Sequence, residues 1–211
     1  MEQGHGKIWN SSMSANAIRV AGRMPEAERT RDRDLLKRFH AGDRDAFTEI
    51  YRVHHKPVFR FASMMTGDGL KAAETTQDVF VWLIHHPGDF DPKRGELGAF
   101  LVGVARKLLK RRYTEEKRWV ALEESGADPV TLPTVDDHTG DQREEDAVRL
   151  RQAIAALPER YRAVVVLCDL QEKTYEQAAV VVECAVGTVR SRLHRARALL
   201  ARKLVGSGCT A

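Results

Sequence analysis

Over residues 34–203 the apolar side chains recur at three- and four-residue spacings, in segments cut by Gly, Pro and Asp. That spacing puts them on one face of successive helices. The first pattern carries Leu35, Leu36 and Phe39 and pauses at Gly42, where Asp43 suits the cap of the next helix. The second carries Phe47, Ile50, Tyr51, Val58, Phe61, Ala62 and Met65, and Pro57 is expected to kink or divide it. After the turn Gly67-Asp68-Gly69, a third helix is marked by Val79, Phe80, Leu83 and Ile84 and ends before Pro87. A loop over residues 89–96 leads to a fourth helix with the stripe Leu97, Phe100, Leu101, Val104, Ala105, Leu108 and Leu109.

The pattern fails once at length. Over residues 115–145 hydrophobic residues thin out, Gly126, Pro129, Pro133 and Gly140 interrupt the chain, and acids dominate, which is the composition of a linker. Beyond it, Val148, Leu150, Ile154 and Leu157 open a second unit, and Pro158 suits the first turn of the helix carrying Tyr161, Val164, Val165 and Cys168. The expected fold is therefore all-α, with two small helical domains joined by an acidic flexible linker. Its parts are a mobile extension over 1–33, a first domain over 34–114, the linker over 115–145, a second domain over 146–205 and a tail over 206–211.

Composition narrows the function classes. With 43% hydrophobic and 30% charged residues, the chain has enough apolar material for a core and too much charge for a membrane protein. No apolar run is long enough to span a bilayer and the polar start lacks a secretory signal, so a cytoplasmic protein without membrane insertion is expected. Cys168, Cys184 and Cys209 are odd in number and form no C-x-x-C pair. The pairs His54-His55 and His85-His86 point to different helix sides with no completing ligand motif. No metal, cofactor or enzymatic activity is expected.

A net charge of +4 alone says little about partners, but its distribution is informative. Over residues 93–118 nine bases face three acids, and residues 187–203 contain no acid at all. Lys107, Lys110 and Arg111 are expected to share the solvent side of the fourth helix.

The most informative local pattern is TYEQAAVVVECAVGTVRSRLHRARALLARKL at 174–204. Thr174 and Gln177 fit a capping box at the start of a short helix that buries Tyr175, Ala178, Ala179 and Val182. A turn at 183–185 precedes a long helix with the apolar side Val189, Leu193, Ala196 and Leu200. Thr188, Arg190, Ser191, Arg192, His194 and Arg195 are its candidate DNA contacts. This is the pattern of a helix-turn-helix, whose second helix enters the major groove and whose arginines meet guanine edges or phosphates.

The segments LPERYRAVVVL (157–167), TYEQAA (174–179) and VGTVRSRLHRAR (186–197) resemble region 4 of the extracytoplasmic-function (ECF) sigma factors of bacterial RNA polymerase. DAFTEIYRVHHKPVFRFA (45–62), TQDVFVWL (76–83), FDPKRG (90–95) and ARKLLKRR (105–112) resemble region 2. The resemblance implies that the first domain holds core RNA polymerase and melts the minus-ten promoter element, while the second reads the minus-thirty-five element. It makes Glu74, Gln77, Asp78 and Phe80 polymerase-facing, and it brings Lys93, Arg94, Arg106, Lys107, Lys110 and Arg111 to the opened DNA strand. The rival expectation is a conventional helix-turn-helix regulator that binds DNA without becoming a polymerase subunit.

The chain departs from the family pattern at several positions. Phe100 stands for a frequent tryptophan, Lys107 for an asparagine, Glu183 for the turn glycine and Ala185 for a capping serine. At 71–74 an acid-rich stretch is reduced to Lys71 and Glu74, followed by Thr75 and Thr76. This resembles sigma factors activated by a Ser/Thr protein kinase, since phosphorylation of Thr75 or Thr76 restores negative charge there. An anti-sigma protein is the alternative regulator.

Overall fold

A computed structural model of the chain describes residues 26–92, 95–123 and 142–206, and every regular element among them is helical. The first module consists of α1 (Glu26–His40), α2 (Arg44–Thr66), α3 (Gly69–His85), a single 3-10 turn at Pro87–Asp89 and α4 (Leu97–Glu123). The second consists of α5 (Gln142–Ala155), α6 (Glu159–Val165) with a π-helical turn at Val166–Leu170, α7 (Tyr175–Val182) and α8 (Val186–Gly206). The expected linker largely lies outside the described residues, as do residues 1–25, the loop pair Lys93-Arg94 and the tail.

Local chemistry sets the helix ends. Asp43 caps α2 by accepting from the backbone N–H groups of Asp45 (2.9 Å) and Ala46 (3.2 Å). The Arg38 guanidinium, bonded to the same carboxylate at 2.9 Å, holds the Asp43 carboxyl below its usual pKa together with those backbone donors. Helix α2 stops at Gly67, whose φ of 70° is left-handed and whose N–H donates to the Ser63 carbonyl at 2.8 Å. Asp68 then caps α3 through Leu70 and Lys71.

Three boundaries differ from the sequence expectation. Helix α1 starts at Glu26 rather than near Asp34, because Asp32 is buried against α2, its Oδ1 3.1 Å from His54 Nε2. That tertiary contact anchors turns which carry no apolar periodicity. Helix α4 continues past residue 114 to Glu123, aided by the Arg111–Glu115 pair one turn apart. Pro57 does not divide α2, which runs unbroken through it with Ile50, Val58 and Phe61 buried on both sides of the proline.

The core of the first module joins Ile50, Val58 and Phe61 of α2 to Val79 and Leu83 of α3 and to Leu97, Leu101 and Val104 of α4. In the second module Ile154, Leu157, Val164 and Leu167 meet Ala178 and Val182 of α7 and Val189, Leu193 and Ala196 of α8. The modules also pack on each other: α7 lies against α4, and α5 and α6 lie against α2. Arg162 of α6 pins this junction. Its guanidinium donates to the Met65 carbonyl at the end of α2 (2.6 Å) and to the carbonyls of Ala155 and Leu157 in its own module. Burial holds the Arg162 pKa below its ordinary value.

The capping box of α7 is present in both directions: Thr174 Oγ1 accepts from the Gln177 N–H (3.2 Å), and Gln177 Oε1 from the Thr174 N–H (3.0 Å). By contrast α8 begins after Ala185, which offers no side-chain acceptor. Ala185→Ser should therefore stabilise the fold by about 0.5–1 kcal/mol, because a hydroxyl at the N-cap gives the first turn of α8 the side-chain acceptor that the Ala185 methyl does not. Thermal unfolding should show it as a rise of about 2–4 °C per kcal/mol. A lowered midpoint would show that the turn has no room for the cap.

Candidate nucleic-acid interface

Helix α8 turns its apolar side inward as its spacing requires: Val189, Leu193, Ala196 and Leu200 are all buried. The opposite side exposes Arg190, Ser191, His194 and Arg195, with Thr188 half-buried at its edge. Two tyrosines from neighbouring helices support the arginines. The Arg190 guanidinium lies 5.7 Å from the ring centre of Tyr175, and Arg195 bonds the Tyr161 hydroxyl. That bond, with the charge of Arg160, holds the Tyr161 pKa below the usual tyrosine value. Arg192 leaves this face and reaches back toward the turn, its Nη1 3.8 Å from Cys184 Sγ. Further along, Arg197 grips Asp169 through two bonds (3.1 and 2.5 Å) that raise its pKa and fasten α8 to the π-helical turn.

The basic side of α4 divides in a way its own periodicity does not reveal. Lys110 and Arg111 face solvent, Arg111 paired with Glu115 at 2.8 Å. Lys107, expected on that same open side, instead meets Glu183 of the helix-turn-helix turn at 2.8 Å, and its side chain is only 18% exposed. Arg106 is held against Glu159 of α6 at 3.2 Å. The cause of this correction is tertiary, since the second module lies across that side of α4. Lys93 and Arg94 fall outside the described residues.

On α3, Gln77 is exposed, but the other expected surface residues are not simply available. Asp78 and Glu74 both face Arg112 of α4, at 2.5 Å and 3.7 Å. Phe80 is a correction: it is 3% exposed and packs edge-on to Tyr51, so its ring belongs to the core rather than to a docking surface. Thr75 and Thr76 are buried as well, each hydroxyl donating at 2.7 Å to the carbonyl one turn back, of Lys71 and Ala72 respectively. Thr75 Oγ1 also accepts from Arg112 at 3.3 Å.

Sequence reasoning missed Arg162, Gln171 and the outward reach of Gln177. Gln171 donates to the Pro57 carbonyl of α2 at 2.9 Å, and Gln177 Nε2 donates to the buried Glu96 carboxylate at 2.8 Å. A charge inside the apolar run LPERYRAVVVL was the available signal for Arg162. Burial, then Asp169, pushes the Cys168 thiol up to about 11, and burial also raises Cys184. Both thiols therefore stay protonated at neutral pH and are poor nucleophiles. Among the described residues no cluster of metal-ligating side chains occurs, and no helix is long and apolar enough to cross a membrane.

Two packed helical modules, the second a helix-turn-helix with an exposed basic recognition helix, define the class of this protein structurally. Residues 50–119 match the model of Sigma-70 region 2, and residues 147–200 match that of Sigma-70, region 4. The ECF RNA polymerase sigma factor SigM of Mycobacterium tuberculosis is 32% identical over 176 residues, covering 82% of this chain and 84% of its own. SigW of Bacillus subtilis is 27% identical over 177 residues, covering 80% and 94%. Among solved structures, the sigma factor RpoE of Bartonella quintana, determined with the anti-sigma factor NepR, superposes with a TM-score of 0.62 at 22% identity, covering 75% of this chain and 96% of that one. The chain belongs to the ECF sigma factors of RNA polymerase.

Proposed function

We propose that this chain binds core RNA polymerase in the cytoplasm and directs it to promoter DNA. The observation that carries the reading is the pairing, in one chain, of a region 2 module with a helix-turn-helix whose recognition helix is exposed and basic. Thr188, Arg190, Ser191, His194 and Arg195 contact the minus-thirty-five element, with Arg192 adding charge at the edge of the groove. The loop bearing Lys93 and Arg94, together with Arg106, Lys107, Lys110 and Arg111, meets the opened minus-ten strand, where cations neutralise phosphates and a pocket holds a displaced base. Polymerase docks on the α3 side around Glu74, Gln77 and Asp78. Mixing the chain with core polymerase and resolving the mixture by size-exclusion chromatography tests this reading. Co-elution supports it, whereas DNA binding without co-elution favours the conventional regulator.

Of two candidate modes of control, an anti-sigma protein is the better supported. Phosphorylation of Thr75 or Thr76 requires α3 to open locally, because both hydroxyls are enclosed and already bonded to the helix backbone. Arg112 beside Thr75 favours a phosphate there. Unphosphorylated chain should bind core polymerase fully; weak binding restored by kinase treatment would reverse the ranking.

Melting should depend on the exposed cations of α4. Reversing Lys110 and Arg111 to glutamate should weaken permanganate reactivity of opened thymines several-fold while core binding persists. Unchanged reactivity in both variants would remove these residues from the strand path.

A further inference from the structure

The exposed basic face of α8 continues onto a neighbouring helix. Tyr161, in the first turn of α6, reaches α8, where its hydroxyl oxygen accepts from the Arg195 guanidinium. The ring of the same tyrosine carries a second cation, since the Arg160 guanidinium lies 4.9 Å from its centre. One side chain at the packed boundary of α6 and α8 thus holds two exposed arginines, one from each helix.

The chain does not neutralise this pair. Glu159, the acid next to Arg160 in sequence, is turned to Arg106 at 3.2 Å, and Asp169 is taken by Arg197 at 2.5 Å. Among the described residues no carboxylate pairs with Arg160 or Arg195. Two guanidinium groups gathered on one ring repel each other, and the negative face of the ring offsets only part of that repulsion. An anion between them relieves it, and the planar fork of donors on each arginine matches the oxygens of a phosphate.

Position selects the anion. Arg195 follows Arg190 by about 7.5 Å along α8, at 1.5 Å per residue. Base edges are met by the N-terminal residues of a recognition helix, whereas the flanking contacts go to the sugar-phosphate backbone. We propose that Arg160 and Tyr161 extend the promoter interface onto α6: Arg160 meets a backbone phosphate beside the groove, and Tyr161 is a positioning residue that aims Arg195 at the same stretch of backbone. The extension rests on the reading of α8 as the recognition helix and adds to it a contact from outside the helix-turn-helix. Phosphate contacts carry no sequence information, so this clamp sets affinity and docking register rather than promoter preference.

The test uses the full chain and a labelled DNA duplex of mixed sequence, with binding read by fluorescence anisotropy across a salt series. Arg160→Gln removes an exposed charge, and Tyr161→Phe keeps the ring and its packing while deleting the hydroxyl, so both variants retain the fold. Arg160→Gln should lower the slope of log affinity against log salt by about 0.9, which shrinks the fall in affinity between 50 and 200 mM salt about 3- to 4-fold. Tyr161→Phe should weaken binding about 2- to 5-fold in the parent chain and have no further effect once Arg195→Ala is present, because its action runs through that arginine. An unchanged salt slope in Arg160→Gln overturns the phosphate contact, and an equal loss from Tyr161→Phe with and without Arg195 overturns the positioning role. If Arg190→Ala and Arg195→Ala themselves leave duplex binding unchanged, the reading of α8 falls and takes the extension with it. Weakening by those two variants with none from Arg160→Gln or Tyr161→Phe removes the extension alone.

Discussion

Truncation of Leu193 to alanine should lower the unfolding free energy by about 2–5 kcal/mol, the cost of deleting a buried leucine and leaving a cavity. Leu193 is 2% exposed on the inner side of α8, in line with Val189, Ala196 and Leu200 and within the core that α6 and α7 complete. Its Cα lies between the exposed residues of the recognition helix, so the effect on DNA binding should follow from loss of the folded helix rather than from a lost contact. Urea unfolding followed by circular dichroism should move to a lower midpoint, and DNA binding should become steeply temperature-dependent. Leu193→Met, which nearly conserves volume, should cost less than about 1.5 kcal/mol. A Leu193→Ala loss below about 1 kcal/mol would show that α8 is not packed as described.

Removal of Arg190 or Arg195 should leave stability nearly unchanged and weaken minus-thirty-five binding by about 1–3 kcal/mol for each side chain that makes a bidentate base contact. Both residues are exposed, and their neighbours Tyr175 and Tyr161 hold them on the outer side of α8 without burying them. The kind of contact is separable. Loss of a base contact should relax sequence preference at one position, whereas loss of a phosphate contact should weaken all sequences alike and reduce the salt slope by about one. Unchanged footprints for both variants would remove α8 from the promoter.

The helix-turn-helix was the most legible part of the chain because its determinants are local. A capping box, a three-residue turn and an apolar stripe on α8 all lie within thirty-one residues, and the structure contains each of them. The stripe of α4 was equally plain, with Leu97, Phe100, Leu101, Val104 and Ala105 buried. Periodicity identifies one apolar face per helix, however, and cannot tell whether the polar face meets water or another module. The open exposure expected of Lys107 was misread for that reason, and the pairing of Arg106 was invisible for the same one, since their partners Glu183 and Glu159 lie far along the chain.

The same limit explains the residues of α3 and α1. Thr75 and Thr76 look polar in sequence, yet their hydroxyls return to the helix backbone and allow the side chains to be buried. Phe80 sits beside surface residues in the sequence but joins the ring cluster of Phe47 and Tyr51. Asp32 carries α1 back to Glu26 through a single buried contact with His54, which no spacing rule anticipates.

The most direct measurement of the central claim is run-off transcription from genomic promoter fragments with purified core polymerase and this chain as the sole added factor. Discrete transcripts whose mapped starts share common minus-ten and minus-thirty-five sequences, absent when the chain is omitted, are the predicted result. Sequence-specific DNA binding accompanied by no initiation would contradict it.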